Sequence, residues 1–212
     1  MKVYLLPGIG CDHRLYDRID LTGINAVKLD WPEFPPGCSL PSIARELSAH
    51  VKADEPHILV GVSMGGMVAQ ELAAITRPVK VVLISSWTGP DERSLLARAG
   101  SAFQLYRSIT HFTMWATWPA KRILGQRDRA TDSLLWEMAC KETARKIRIG
   151  TGAILRWRGS PWKGPTVRIH GDNDRVTPMC FPVDHVVRGG PHIMVLTRGE
   201  EVSRLLREAL SA

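Results

Sequence analysis

The segment Gly61-Val62-Ser63-Met64-Gly65-Gly66 restricts the possible folds of this chain more than any other. An apolar run, His57-Ile58-Leu59-Val60, leads into it, and an apolar, alanine-rich run from Met67 to Ile75 leaves it. That is the pattern of a strand, a sharp turn and a helix, with one serine at the apex. Such a turn forces the serine backbone into a strained, left-handed-like conformation and pushes its Oγ above the sheet edge. Gly61 and Gly65 stand where a Cβ would collide as strand and helix pass closely, and Gly66 extends that clearance. The helix N-terminus behind Ser63 presents unpaired N–H groups to negative charge developing nearby. A Gly-x-Ser-x-Gly pentamer also occurs in ordinary turns. Reading Ser63 as a nucleophile therefore requires a histidine and an acid later in the chain.

The rest of the sequence alternates strands and helices. Val3-Tyr4-Leu5-Leu6 reads as a short buried strand ending at Pro7-Gly8-Ile9-Gly10. A second strand, Ala26 to Leu29, ends at Asp30-Trp31-Pro32, and Pro32, Pro35, Pro36 and Gly37 exclude a helix there. A helix from about Leu40 to Ala53 is expected, capped near Ser39, with Ile43, Leu47 and Val51 as its buried stripe. Arg77-Pro78 closes the serine helix, and Val79 to Ile84 is an apolar, β-branched run that suits a parallel strand covered on both faces. Further strands are expected at Thr166 to His170 and Asp184 to Val187, and a terminal helix at Glu200 to Leu210 with Val202, Leu205, Leu206 and Leu210 inward. Together these predict an α/β fold with a doubly wound, mostly parallel sheet.

Between Trp87 and Gly164 the alternation stops. Five of the seven tryptophans, Trp115, Trp118, Trp136, Trp157 and Trp162, fall in this segment. Leu134-Leu135, Met138-Ala139 and Ile147-Ile149 suggest an amphipathic helix with Lys141, Arg145 and Lys146 outward. The expected organisation is a core of residues 1–87 and 165–212 carrying an inserted helical cap at 88–164. The cap's aromatic and methionine side chains either line an acyl pocket or pack cap against core. From Thr88 to Gly164 there are 14 Lys or Arg against 6 Asp or Glu, while the remainder has 14 against 15, so the net charge of +7 originates in the cap. That charge either steers anionic substrates or is a solvated helix face.

Composition removes several classes. Apolar residues are 44% and charged residues 23% of 212, as in a globular domain. No apolar run approaches the ~18 residues of a membrane span, and the first eight residues break at Pro-Gly before a secretory signal could form. Cys11, Cys38, Cys140 and Cys180 are scattered, without the spacing of a zinc site or a disulfide framework, so reduced thiols in a cytoplasmic protein are expected. The basic excess carries no nucleic-acid-binding motif.

Three segments bear on the partners of Ser63. They are the serine turn itself, His170-Gly171-Asp172-Asn173-Asp174 with Pro178, and Gly189-Gly190-Pro191-His192. With Leu6-Pro7-Gly8-Ile9-Gly10 they span nearly the whole chain, and the chain resembles the α/β-hydrolase fold serine hydrolases, in which the order is serine, acid, histidine. The resemblance implies Ser63 as nucleophile, His192 as base and Asp174, the last residue of the His-Gly-x-x-Asp loop, as acid, with Asp172 as its competitor. It implies an oxyanion hole from the backbone N–H groups of Met64 and of Ile9, or its neighbour Gly10. His170 is expected to be structural and His13 to lie at the surface; His111 and His185 carry no spacing signal. Two departures point to a trimmed version of the fold: the sequence opens on the strand before the oxyanion loop, and only Met179 to Val183 separate Pro178 from the next strand.

The implied chemistry is cleavage of an ester or thioester through an acyl-serine, without metal or cofactor, on a small acyl substrate that is uncharged or anionic. Acyl transfer or amide cleavage by the same residues, or a non-catalytic small-molecule receptor on the same fold, are the alternatives. Dehalogenation is disfavoured, since it needs a carboxylate where Ser63 stands. No feature sets an oligomeric state.

Overall fold

The computed structural model describes residues 1–94, 98–99, 102–121 and 129–211. The cap expectation at 88–164 therefore includes residues outside those described. Six strands, β1 (Lys2–Leu6), β2 (Asn25–Lys28), β3 (His57–Val62), β4 (Lys80–Ile84), β5 (Thr166–Gly171) and β6 (His185–Val187), form one sheet in the order β2-β1-β3-β4-β5-β6. Every pairing is parallel. The helices are α1 (Leu40–Leu47), α2 (Met64–Thr76), α3 (His111–Lys121), α4 (Arg129–Lys141), α5 (Ala144–Arg156), α6 (Met194–Thr197) and α7 (Gly199–Ser211), with short 3-10 turns between.

Side chains alternate across the sheet, and each face has its own core. Val3, Leu5, Ile58, Val60, Val82 and Ile84 pack with Leu15, Tyr16 and the inner face of α7, where Val202, Leu205 and Leu206 are buried. Tyr4, Leu6, Leu59, Val81 and Leu83 pack against α1 and α2. Strands buried on both faces explain why β3 and β4 read as continuous apolar runs.

Local chemistry moved several expected boundaries. Ser39 caps α1 reciprocally with Ser42, a device worth about 1 kcal/mol. The helix ends at Leu47 rather than Ala53, because Ser48 bonds its hydroxyl back to Arg45 O at 2.7 Å and the chain tightens into a 3-10 turn at Ser48–His50. Val51 is nonetheless buried beyond the helix. The helix after Ser63 starts at once, at Met64, and β4 starts at Lys80, leaving Val79 exposed. β6 begins at His185, one residue later than expected, and no helix separates it from β5.

The single amphipathic helix expected across 134–149 is two helices. The chain breaks at Glu142-Thr143, where Thr143 takes φ +62° and its side chain caps α5 by accepting from Lys146 N. Lys146 does not point outward. Its Nζ lies 2.7 Å from Glu142 and 3.1 Å from the carbonyl of Trp31. At the other end of α5 the Arg93 guanidinium donates to the carbonyls of Leu155 at 2.8 Å, of Ile154, which also accepts from Trp157 N, and of Trp157.

Candidate active site

Ser63 sits at the junction of β3 and α2 with φ +53° and ψ −120°, a conformation L residues rarely adopt. Its neighbours hold it there. Ser63 N donates to Ile84 O at 2.9 Å, and Ser86 Oγ donates to Ser63 O at 2.7 Å. A Cβ on Gly61 would strike the backbone of Gly65 and Gly66, and one on Gly65 would strike the carbonyls of Leu6 and Pro7. The two glycines thus serve two different approaches: strand to helix at Gly61, and helix to the end of β1 at Gly65.

The acid loop and the histidine turn follow β5 and β6 at the same end of the parallel sheet. His192 Nε2 lies 3.1 Å from Ser63 Oγ, and its Nδ1 lies 2.8 Å from Asp174 Oδ2. The expected residues Ser63, His192 and Asp174 are therefore brought into one hydrogen-bonded series. Asp174 Oδ1 accepts from the backbone N–H groups of Val176 and Thr177 at 2.9 and 2.8 Å, and Oδ2 from the Thr177 hydroxyl at 2.7 Å. Burial alone would raise the Asp174 carboxyl. The charge of His192 and hydrogen bonds from His170, His192 and Thr177 outweigh it and hold the group well below the usual carboxylate range.

The other candidates take structural places. Asp172 is exposed and accepts from Gly189 N at 2.6 Å, fixing the turn ahead of His192. His170 is buried with Nε2 2.7 Å from Thr177 O. His13 pairs with Asp30 at 2.9 Å on the surface. Ile9 and Met64, the expected oxyanion residues, lie on either side of Ser63: Ile9 in the turn after β1 and Met64 as the first residue of α2. Their N–H groups donate to no described residue.

A cavity of about 420 Å3 opens over Ser63 and His192. The core contributes Ile9, Leu15, Val62, Met67 and Trp87 to its wall, and the segment between β4 and β5 contributes Trp118, Leu135, Ala139, Ile147, Ile154 and Leu155. Among the described lining residues there is no Lys, Arg, Asp or Glu. Of the five tryptophans in the expected cap, only Trp118 lines this cavity. Trp157 instead packs against the core and donates to Glu71, Trp162 donates to Thr166, and Trp115 is exposed. A shallower groove of about 550 Å3, between Trp115, Pro119, Asp132 and Trp136, includes neither Ser63 nor His192.

Several cations of the segment between β4 and β5 bind groups elsewhere in the chain. Lys141 Nζ lies 2.8 Å from Asp12, whose carboxylate is fully buried and also bound by Arg14. Trp31, Thr177 and Asp12 are the site's neighbours that the sequence reading missed. Of these only Thr177 had a readable signal, lying three residues after an aspartate in a loop.

A six-stranded parallel sheet with a strand–serine–helix turn, and a histidine and a carboxylate delivered to that turn by later loops, defines an α/β hydrolase architecture. The chain belongs to the alpha/beta hydrolase family, whose model matches residues 3–205. No curated protein matches the sequence. Among solved structures it is similar to a thermophilic esterase from Thermogutta terrifontis, at 18% identity and TM-score 0.78, covering 100% of this chain and 89% of that one. It is similar too to a putative non-heme bromoperoxidase, BpoC, from Mycobacterium tuberculosis (17%, TM-score 0.75, 99% and 91%) and to an enol-lactonase from Burkholderia xenovorans (16%, TM-score 0.71, 100% and 91%). At these identities the likeness concerns the fold. Among the described residues no helix is long and apolar enough to cross a membrane.

Proposed function

We propose that this protein hydrolyses an ester or thioester of a small, apolar acyl group through an acyl-serine intermediate. The observation that carries the reading is the hydrogen-bonded series Ser63–His192–Asp174 at the floor of an apolar cavity. A serine hydroxyl needs a base within hydrogen-bond reach, and the base needs a carboxylate to orient it.

In the proposed reaction Ser63 Oγ attacks the substrate carbonyl while its proton passes to His192 Nε2. Asp174 stabilises the imidazolium through Nδ1–H. The negative oxygen of the tetrahedral intermediate is received by the N–H groups of Ile9 and Met64, the latter at the N-terminus of α2. Collapse expels the alcohol or thiol, which takes the proton from His192. Water then adds to the acyl-serine by the same route, giving the carboxylic acid and restoring Ser63. The depressed Asp174 carboxyl suits this role, because the anion is there to stabilise the imidazolium as it forms.

The cavity also narrows the substrate. At ~30 Å3 for each small group, 420 Å3 admits roughly a dozen non-hydrogen atoms. The described wall is apolar and uncharged, which favours an uncharged acyl part, with any negative charge on the substrate carried by the leaving group. A fluorophosphonate probe should label the wild type and leave Ser63→Ala unlabelled. Turnover of nitrophenyl esters should fall by about 10⁴-fold in Ser63→Ala and in His192→Ala, without adding in the double variant. Equal labelling of wild type and Ser63→Ala would overturn the assignment, and binding of esters without turnover would favour a receptor.

A further inference from the structure

The turn that follows β1 is pinned from outside by a tryptophan from the end of β2. Trp31 Nε1 donates to the carbonyl of Gly8 at 3.0 Å, and Cys11 N donates to the same oxygen at 3.2 Å. Gly8 through Cys11 thus form a closed turn, with Gly10 at its third position and φ +70°, the region a type II turn requires there. The Gly8 carbonyl and the Ile9 N–H belong to one peptide unit. In a planar trans peptide these two groups point in opposite directions. Fixing the carbonyl outward, onto the indole and Cys11, therefore fixes the Ile9 N–H on the opposite side. That N–H meets no acceptor among the described residues, and the turn passes next to the nucleophile: a Cβ on Gly8 would lie 3.7 Å from Ser63 Cβ.

We infer that Trp31 is a positioning residue that sets the Gly8–Ile9 peptide plane and so holds the Ile9 N–H as an oxyanion donor. This inference rests on the acyl-serine reading above. Trp31 itself is firmly held. It is 6% exposed, its ring meets Phe34 edge-on at 5.9 Å, and its own carbonyl accepts from Lys146 on α5. The same helix touches the turn directly. Gly150 faces Ile9 and Phe34 so closely that a Cβ there would strike the Ile9 side chain, and Ile147 lies over Gly10. The helices between β4 and β5 therefore reach the oxyanion turn by two routes, one through Trp31 and one by contact.

Without the indole N–H, the Gly8 carbonyl keeps its bond from Cys11 but loses the shorter of the two that fix its direction. The peptide gains freedom to rotate, and the oxyanion loses a share of one donor rather than the whole. Complete removal of such a donor costs about 10²- to 10³-fold in kcat, so Trp31→Phe should lower kcat by about tenfold or more while leaving KM within about twofold.

The test compares wild type, Ser63→Ala and Trp31→Phe on a nitrophenyl ester, with two inhibitors of the same chain length. One is an alkyl boronic acid, whose boron accepts Ser63 Oγ to form a tetrahedral anion as the serine proton moves to His192. The other is an uncleaved straight-chain amide, which mimics the ground state. The inference expects Trp31→Phe to weaken the boronic acid by about the factor lost in kcat while leaving the amide unaffected. Equal weakening of both inhibitors would mean a disturbed pocket and would overturn the positioning role. So would an unchanged kcat in a Trp31→Phe protein when Ser63→Ala is inactive, and then the acyl-serine reading would survive alone. Turnover retained in Ser63→Ala would remove both. If Trp31→Phe does not fold, 3-benzothienylalanine at position 31 keeps the fused rings and deletes only the N–H, and the same outcomes apply.

Discussion

Thr177 Oγ1 lies 2.7 Å from Asp174 Oδ2, the same carboxylate oxygen that stands 2.8 Å from His192 Nδ1. Thr177 is buried, and its backbone N–H bonds the other oxygen of the same carboxylate. One residue thus addresses both oxygens of Asp174 and sets the plane in which His192 must lie. Replacing it with valine keeps the volume and the backbone bond and deletes the hydroxyl.

Thr177→Val should lose about 2 kcal/mol of stability, the scale of a buried hydrogen bond to a charged group, seen as a lower urea midpoint. It should also lower kcat by about tenfold with little change in KM, because the imidazole is less well oriented when the transition state forms. A stability loss with unchanged kcat would assign the hydroxyl to folding alone.

The strand–helix crossing at Ser63 makes a sharper stability test. Gly61→Ala places a methyl group against the backbone of Gly65 and Gly66, which no rotamer change can relieve. The expected outcome is a loss of about 4 kcal/mol or more, or no folded protein. Gly89→Ala is the control: it has open space around the added Cβ and an extended φ of −170°. It should stay within about 0.5 kcal/mol of wild type in thermal unfolding.

Acyl length is the readout for the cavity. Ala139 is a buried lining residue on α4. Ala139→Phe would occupy part of the 420 Å3, and the ratio of kcat/KM for an octanoyl over an acetyl nitrophenyl ester should fall by about tenfold or more. An unchanged ratio would place the acyl chain elsewhere.

These sites differ in how far the sequence discloses them. Ser63, Asp174 and His192 stand in short local patterns, Gly-x-Ser-x-Gly, His-Gly-x-x-Asp and Gly-Gly-x-His, whose glycines and polar residues are legible because local sterics require them. The strands were legible because burial on both faces makes them continuously apolar. The helices between β4 and β5 were less so. Their break at Thr143 uses a left-handed residue that is not glycine, and Lys146 turns inward toward Glu142 and Trp31, against the usual reading of lysine as solvated. The charge of the segment between β4 and β5 illustrates the same limit. Lys141 and Arg93 are bound by a buried carboxylate and by helix-end carbonyls, long-range partners that composition cannot display. Trp31 has no local pattern at all. Its bond to Gly8 spans 23 residues and exists only because β1 and β2 are neighbours in the sheet.

Two buried carboxylates make the fold sensitive to acid in a predictable direction. Burial opposes the charge on both Asp174 and Asp12. On Asp174 the charge of His192 and bonds from His170, His192 and Thr177 overcome it, and on Asp12 the bonds from Arg14 and Lys141 do so. Both groups therefore titrate lower in the folded chain than the ~3.9 of an unfolded aspartate. A depressed folded value means that the unfolded chain takes up the proton first as pH falls. Stability is complete above about pH 5 and is lost as pH falls through 3.9 toward the folded values. By pH 3 each group should have given up about 1 kcal/mol relative to pH 6. Urea unfolding at the two pH values should show that decline in the wild type, and Asp174→Asn and Asp12→Asn should each flatten it by about that amount, whatever they cost at pH 6. A wild-type slope retained in Asp174→Asn would mean that its carboxylate does not carry the linkage, and that the folded chain does not hold it as the anion that the proposed chemistry requires.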